Sequence, residues 1–294
     1  MKNSKGAMNR HSPSEKVAEK CESMNSIDSK AQQFFFEPDF PSLNQRAECD
    51  RLYRDLPVLG PFKYRNGDTY QGQYKDGQRT GFGTQVSVDG SIYEGYWENN
   101  QPDKYGTKVL ENGKFYSGGW KEGKKDGWGY EELPDGSRYT GYFKEGQRDG
   151  WGFTEWPDGR KYSGEHKEGK KQGWGFEDRQ DGGKYTGQFN DDEWEGWGFR
   201  EFTDGRKYIG ELKADKKHGW GCYQWPDGSK YIGESKQGPV DGWGFFEHSD
   251  GGTHRGEFKG GLPHGWGCDV RPDGSKYVGQ YQGGLMEGFG TYVK

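Results

Sequence analysis

Tyr139-Thr140-Gly141-Tyr142-Phe143-Lys144-Glu145-Gly146, followed by Asp149-Gly150-Trp151-Gly152-Phe153, is the stretch that decides the fold, because the chain repeats it at a fixed step. Tyr-x-Gly recurs at Tyr70, Tyr93, Tyr116, Tyr139, Tyr162, Tyr185, Tyr208 and Tyr231, has His254 in the ninth place, and returns at Tyr277. The step is 23 residues every time, without insertion or deletion across ten units. A period of this size marks a repeat architecture, and every other residue can be placed against it.

Counting the tyrosine as position zero, an aromatic usually follows at plus four, as in Tyr74, Trp97, Trp120, Phe143, Phe189, Phe258 and Tyr281. At plus twelve a second aromatic sits between glycines: Trp128, Trp151, Trp174, Trp197, Trp220, Trp243 and Trp266, with Phe82 and Phe289 in the first and last units. Plus fourteen carries Tyr130, Phe153, Phe176, Phe199 and Phe245, or the smaller Cys222 and Cys268. An Asp-Gly or Asn-Gly pair closes each unit, from Asn66-Gly67 to Asp273-Gly274. Between alternating segments such a pair predicts a hairpin with a two-residue type I′ turn. Each unit therefore reads as two strands joined by a glycine- and lysine-rich loop such as Glu168-Gly169-Lys170-Lys171.

Period-two alternation then predicts the faces. Tyr at zero, Gly at plus two and the rings at plus four, twelve and fourteen share one side. Lys161, Lys184, Lys207, Lys230 and Lys276 at minus one fall on the other, with Glu165, Glu211, Glu234 and Glu257 at plus three and Lys144, Lys167 and Lys213 at plus five. A two-residue turn sets each Trp opposite the next unit's plus-four ring and each plus-fourteen ring opposite a glycine. Trp128, Trp151, Trp174, Trp197, Trp220, Trp243 and Trp266 are thus expected to form a structural aromatic ladder. The fold class is all-β, an elongated antiparallel β-hairpin solenoid, ~95 Å long at ~9.6 Å per hairpin, with a short N-terminal helical cap.

Composition agrees with an ordered but core-poor chain. Only 28% of the 294 residues are apolar and mean hydropathy is -1.28, values that suggest disorder, yet the 12 Trp, 19 Tyr and 17 Phe need an ordered framework to hold them. No window approaches a membrane span, and Met1 to Arg10 has no apolar signal region. A net charge of -5 lacks the basic excess of a nucleic-acid binder. Four cysteines are too few and scattered for a disulfide framework, which fits a reducing, intracellular setting.

The motif Tyr-x-Gly-x-(aromatic)-x-x-Gly-x-x-x-Gly-x-Gly at this step resembles the MORN repeat, the membrane occupation and recognition nexus, across about residues 61–294. The resemblance implies the hairpin fold. Arrays like this one occur in phosphatidylinositol phosphate kinases, junctophilins, a lysine methyltransferase, radial-spoke heads of cilia and cytoskeletal scaffolds of protists. In the enzymes the chemistry belongs to a separate domain. No Walker loop, kinase signature or zinc spacing appears here, and His218 and His264, both at plus ten, fall ~19 Å apart, too far to share a metal. The expected protein has no cofactor and is not an enzyme.

Three segments follow. Residues 1–41 are expected to be disordered, with the apolar cluster Phe34-Phe35-Phe36-Glu37-Pro38-Asp39-Phe40-Pro41 at their end. Residues 42–60 open with Ser42-Leu43-Asn44-Gln45, a capping box, and predict a helix from Leu43 to Leu56 stopped by Pro57. That helix covers the edge of the first hairpin or docks a partner. Residues 61–294 are the ten repeats. The last strand leaves Phe289, Tyr292 and Val293 on an edge that a partner or a second copy can pair. The resulting expectation is a scaffold for protein assembly in the cytoplasm, at the cytoskeleton or in a cilium; only the resemblance points to the cilium. The alternative is a membrane adaptor whose Lys144, Lys167 and Lys213 meet acidic phospholipids, although glutamates interleave with the lysines on that face.

Overall fold

The structure, a computed structural model, describes residues 43–294; residues 1–42, with their apolar cluster and Ser42, lie outside the described residues. The described chain divides between two compact units, one holding residues 43–180 and the other residues 181–294. In the first, α1 (Leu43–Tyr53) precedes β1 (Val58–Lys63), β2 (Thr69–Lys75), β3 (Gln78–Val86), β4 (Ile92–Glu98), β5 (Gln101–Val109), β6 (Phe115–Lys121), β7 (Lys124–Glu132), β8 (Arg138–Lys144), β9 (Gln147–Glu155), β10 (Lys161–Lys167) and β11 (Lys170–Asp178). The second contains β12 (Lys184–Asn190), β13 (Glu193–Glu201), β14 (Lys207–Lys213), β15 (Lys216–Gln224), β16 (Lys230–Ser235), β17 (Val240–Glu247), β18 (Thr253–Lys259), β19 (Leu262–Val270), β20 (Lys276–Gln282) and β21 (Leu285–Val293). Within each unit every strand pairs antiparallel with the next in sequence. This is the all-β hairpin array that the repeat predicts, with one short helix ahead of it among the described residues.

The predicted register is off by one, and the turns explain why. A type I′ turn needs positive φ at both central residues. Those residues are Glu168 (φ 51) and Gly169 (φ 86), in the loop within the hairpin, where Lys167 pairs with Lys170. At Asp158-Gly159 only the glycine is positive (φ 88). Asp158 instead accepts the Arg160 amide on its side chain at 3.1 Å, and Trp156 N bonds Arg160 O at 3.0 Å, so the loop holds three residues rather than two. The extra residue shifts the pairing by one and moves the Trp row to the opposite face. Trp151 stands opposite Glu165, not His166, and Phe153 opposite Ser163, not Gly164.

What shares the tyrosine face is a row of glycines. Gly141 faces Gly152, Gly152 faces Gly164, and Gly164 faces Gly175. Each tyrosine ring lies across two of them. A Cβ added at Gly152 would lie 2.3 Å from the Tyr139 hydroxyl and 2.4 Å from its ring, and one at Gly141 would lie 2.5 Å from the same hydroxyl. Tyr139, Tyr162 and Tyr185 are fully buried. Between the glycine pair and the loop the strands go out of step, leaving the plus-three residue without a partner in its own hairpin, and Tyr139 donates its hydroxyl to that residue's carbonyl, Tyr142 O, at 3.0 Å. Tyr162, Tyr185, Tyr208 and Tyr231 make the same bond.

Plus-four rings complete the layer. Phe143 meets Tyr139 and the preceding unit's Tyr116 edge-on, with centroids 5.1 Å away in both cases. The chain of contacts runs from Tyr70 through Trp97, Tyr93, Trp120, Tyr116, Phe143, Tyr139 and His166 to Tyr162. Trp174, by contrast, is 50% exposed. Tyr139→Ala is therefore expected to cost ~3–5 kcal/mol in urea denaturation, the range for losing a buried ring, and Trp174→Ala ~1–2 kcal/mol, in keeping with its half-buried area. Equal losses would contradict the face assignment.

Candidate functional site

The tyrosine face is closed by charge, a feature the sequence reading missed. Position plus nine places a cation over the ring: Arg148 lies 4.5 Å from the centroid of Tyr139, Lys125 4.7 Å from Tyr116, Lys171 4.9 Å from Tyr162 and Arg79 5.5 Å from Tyr70. For Lys125 and Lys171 an acid at plus fifteen on the same face, Glu131 or Glu177, pairs with the cation, whereas Arg79 meets the neutral Gln85. Glu131 is buried and bridges Lys125, Lys114 at 3.0 Å and Arg148 at 3.2 Å. Burial alone would raise the Glu131 carboxyl, but its bonds to Lys125 and Lys114 pull it down to about 2. Lys217 faces Tyr223 instead of an acid, and burial beside Arg206 and Arg200 pushes it down to about 8. In the Tyr185 unit the partners trade places, with Trp194 stacked 4.4 Å from Tyr185 and Arg200 over Trp194 at 4.9 Å. In the ninth unit Pro263 occupies plus nine, and His254, in the place of the tyrosine, has its Nδ1 2.6 Å from Asp269. The recurrence of Arg or Lys at plus nine was legible in the repeat. Its meaning depended on the register.

The opposite face carries the Trp row and the plus-three side chains. Glu165 accepts the Trp174 amide at 3.3 Å, and Gln188 accepts that of Trp197 at 2.9 Å, so the plus-three residue caps the irregular step in the hairpin. Of the predicted ladder, Trp151, Trp174, Trp243 and Trp266 are about half exposed, while Trp128, Trp197 and Trp220 are partly buried. Trp197 and Trp220 pack with Phe199, Ile209, Cys222 and Ile232. Within each compact unit the Trp residues thus lie on one face, but it is not the sealed one.

In the first unit α1 sits on this Trp face. It ends at Tyr53, three residues before the expected Leu56, and it does not cover the edge of the first hairpin; β1 does, pairing with β2. Tyr53 is buried, its ring 6.0 Å from Tyr96 and its hydroxyl donating to Glu98 at 2.8 Å. Tyr96 donates to Asp50, Gln73 Nε2 to Tyr53 O at 2.7 Å, and the Arg46 guanidinium lies 5.0 Å over Tyr105. Burial and the Asp50 carboxylate push the Tyr96 hydroxyl up, so it remains a donor. A groove of about 400 Å³ borders this seat, lined in part by Asp50, Tyr53, Val58 and Phe82.

Lys144, Lys167 and Lys213 end their strands fully exposed; Lys144 and Lys167 are each followed by a glutamate at the turn, and Lys124 reaches Glu145 at 2.5 Å. In β21 every residue is exposed, Phe289 by 82%, with Tyr292 and Val293 also open. β21 bonds to β20 on one side, and among the described residues no strand pairs with its other edge.

A family model, the MORN repeat, matches residues 70–92, 93–115, 116–138, 139–159, 208–230, 254–276 and 277–294, together more than half of the chain. The units beginning at Tyr162, Tyr185 and Tyr231 lie outside those matches and carry the same paired strands. No curated protein gives a significant match. Among solved structures, the TCP domain of SAS-4 from Drosophila melanogaster, in complex with a proline-rich motif of Ana2, is 13% identical over 61% of this chain and 99% of that one, with a TM-score of 0.34. The TCP10 domain of CPAP from Danio rerio is 14% identical over 68% and 94%, with a TM-score of 0.27.

The Glu131 cluster gives a pH test. A carboxyl held low in the folded state contributes stability above its unfolded value, and that contribution is lost as pH falls through the folded value, here from about 4.5 toward 2. Glu131→Gln is expected to cost ~3 kcal/mol at pH 7 and to flatten the stability profile below pH ~5. Urea midpoints measured across that range check both, and an unchanged profile would remove Glu131 from the account.

Proposed function

This chain belongs to the MORN-repeat family, and from that membership we propose that it is a non-enzymatic scaffold that holds protein partners in a ciliary, axonemal or other cytoskeletal assembly. The repeat itself is a structural, non-catalytic one. The observation that carries the reading is the division between the two faces. The tyrosine side is filled by its own rings and ion pairs, whereas the Trp side and the β21 edge present aromatic and backbone groups to solvent. An exposed edge strand is a template for another strand, and like edges close into a two-fold dimer. The β21 edge, with Phe289, Tyr292 and Val293, accordingly pairs with a partner strand or a second copy. The cytoskeletal setting rests on the family's occurrence in radial-spoke heads and protist scaffolds.

The adaptor reading, with Lys144, Lys167 and Lys213 on acidic phospholipids, is less favoured because acids share each lysine's turn or the one beside it. Two measurements separate the readings. Light scattering is expected to show a larger species for the intact chain than for a version ending at Gly267. Vesicles containing phosphoinositides are expected not to retain the chain at physiological salt, where exposed charge is screened. Retention abolished by replacing Lys144, Lys167 and Lys213 would install the adaptor in place of the scaffold, and proximity labelling in the native cell that yields no cytoskeletal protein would count against the assembly.

A further inference from the structure

The seat that holds α1 occurs twice. Under α1, Phe82 on β3 stands opposite Tyr96 on β4, their rings 5.5 Å apart and edge-on, with Tyr105 following on β5. Two repeats further on, Trp128 on β7 stands opposite Tyr142 on β8, their rings 5.0 Å apart and edge-on, with Trp151 following on β9. The offset is 46 residues for all three positions. Nothing about the repeat requires this, because plus three is Glu or Gln in every other unit except the Gly119 one. Tyrosine stands there only at positions 96 and 142. The first of these is 3% exposed beneath the helix and the second is 49% exposed.

The two seats also differ, and the differences specify an occupant. Glu98, which accepts the Tyr53 hydroxyl, is replaced by the exposed Lys144, and Gln73, which holds the Tyr53 carbonyl, by Gly119. A helix on the second seat would keep α1's carboxylate, at the place of Asp50, to accept from Tyr142. Three residues later, where α1 has Tyr53 over Glu98, it would need an acid to meet Lys144. Residues three apart share one side of a helix.

We propose that Tyr142, Trp128 and Lys144 form a docking seat for a helix of a partner protein that presents two carboxylates three residues apart, in the manner of Asp50 and position 53 of α1. This rests on the scaffold reading and names the class of partner. The chain's own helix shows what the surface accepts, and the change from Glu98 to Lys144 supplies the charge preference.

The probe is a synthetic peptide of residues 43–56 with Tyr53→Glu, cross-linked between the exposed positions 48 and 52 to hold it helical, alongside the same peptide with Tyr53 retained. Short helices are marginal in water, so helicity is first set by circular dichroism. Fluorescence anisotropy with the intact chain is expected to show saturable binding that favours the Tyr53→Glu peptide. Tyr142→Ser is expected to weaken it roughly tenfold, as loss of a central anchor does, Tyr142→Phe less, and Lys144→Glu is expected to reverse the preference between peptides. No binding, or binding indifferent to Tyr142 and Lys144, overturns the proposal. Binding only after residues 1–41 are removed gives the seat to this chain's own upstream segment, and self-association lost with Tyr142→Ser gives it to a second copy; either result also overturns it. Failure here leaves the scaffold reading standing on its β21 test, from which it is independent.

Discussion

A tyrosine ring lying flat across two bare glycine backbones is the contact on which the rest of this structure depends. Tyr139 over Gly141 and Gly152 is the pattern case: the ring occupies the space where two Cβ atoms would be, and its hydroxyl takes up a carbonyl that the strand pairing skips. Glycine is required there for closeness of approach, not for an unusual φ. Because the ring is buried against the backbone itself, the array needs little conventional core, which is how a chain only 28% apolar keeps its order. Burying a ring of this size is worth several kcal/mol at ~25 cal/mol per Å².

The second layer is electrostatic and depends on the first. A cation over a ring faces the negative side of its π cloud, and burial there costs least with a counter-charge beside it. Lys125 with Glu131, and Lys171 with Glu177, satisfy this within one unit. Other units fill the same layer with different residues, Arg200 over Trp194 in one and His254 beside Asp269 in another. On the other face, ion pairs such as Lys161 with Glu155 and Lys230 with Glu247 are exposed and contribute little stability, so that face is available for contacts with other molecules.

The hairpins were legible in the 23-residue step, and so was the need for glycines beneath a ring, but the expected ring was the plus-fourteen one and the structure puts the tyrosine there. The pairing register was not legible, because one Asp-Gly dipeptide is compatible with a two-residue and a three-residue loop, and Asp158 chose its own side-chain turn over positive φ. That single residue set Trp151 opposite Glu165 and moved it from an expected core position toward the surface. The helix was visible in Ser42-Leu43-Asn44-Gln45, but its seat was not, since the sequence before Val58 does not reveal that β1 takes the edge. Tyr96 and Tyr142 broke the plus-three rule in plain view, and only the structure shows that one of them lies beneath a helix.

The most direct test of the central contact is a double-mutant cycle built from Gly152→Ala and Tyr139→Leu, with stability read from urea denaturation. The three atoms nearest to a Cβ placed at Gly152 all belong to the Tyr139 side chain. The account predicts that Gly152→Ala is severely destabilising while Tyr139 is present and nearly neutral once Tyr139→Leu has removed the ring, with a coupling energy of ~2 kcal/mol or more. Additive effects, with no coupling between the two positions, would contradict it.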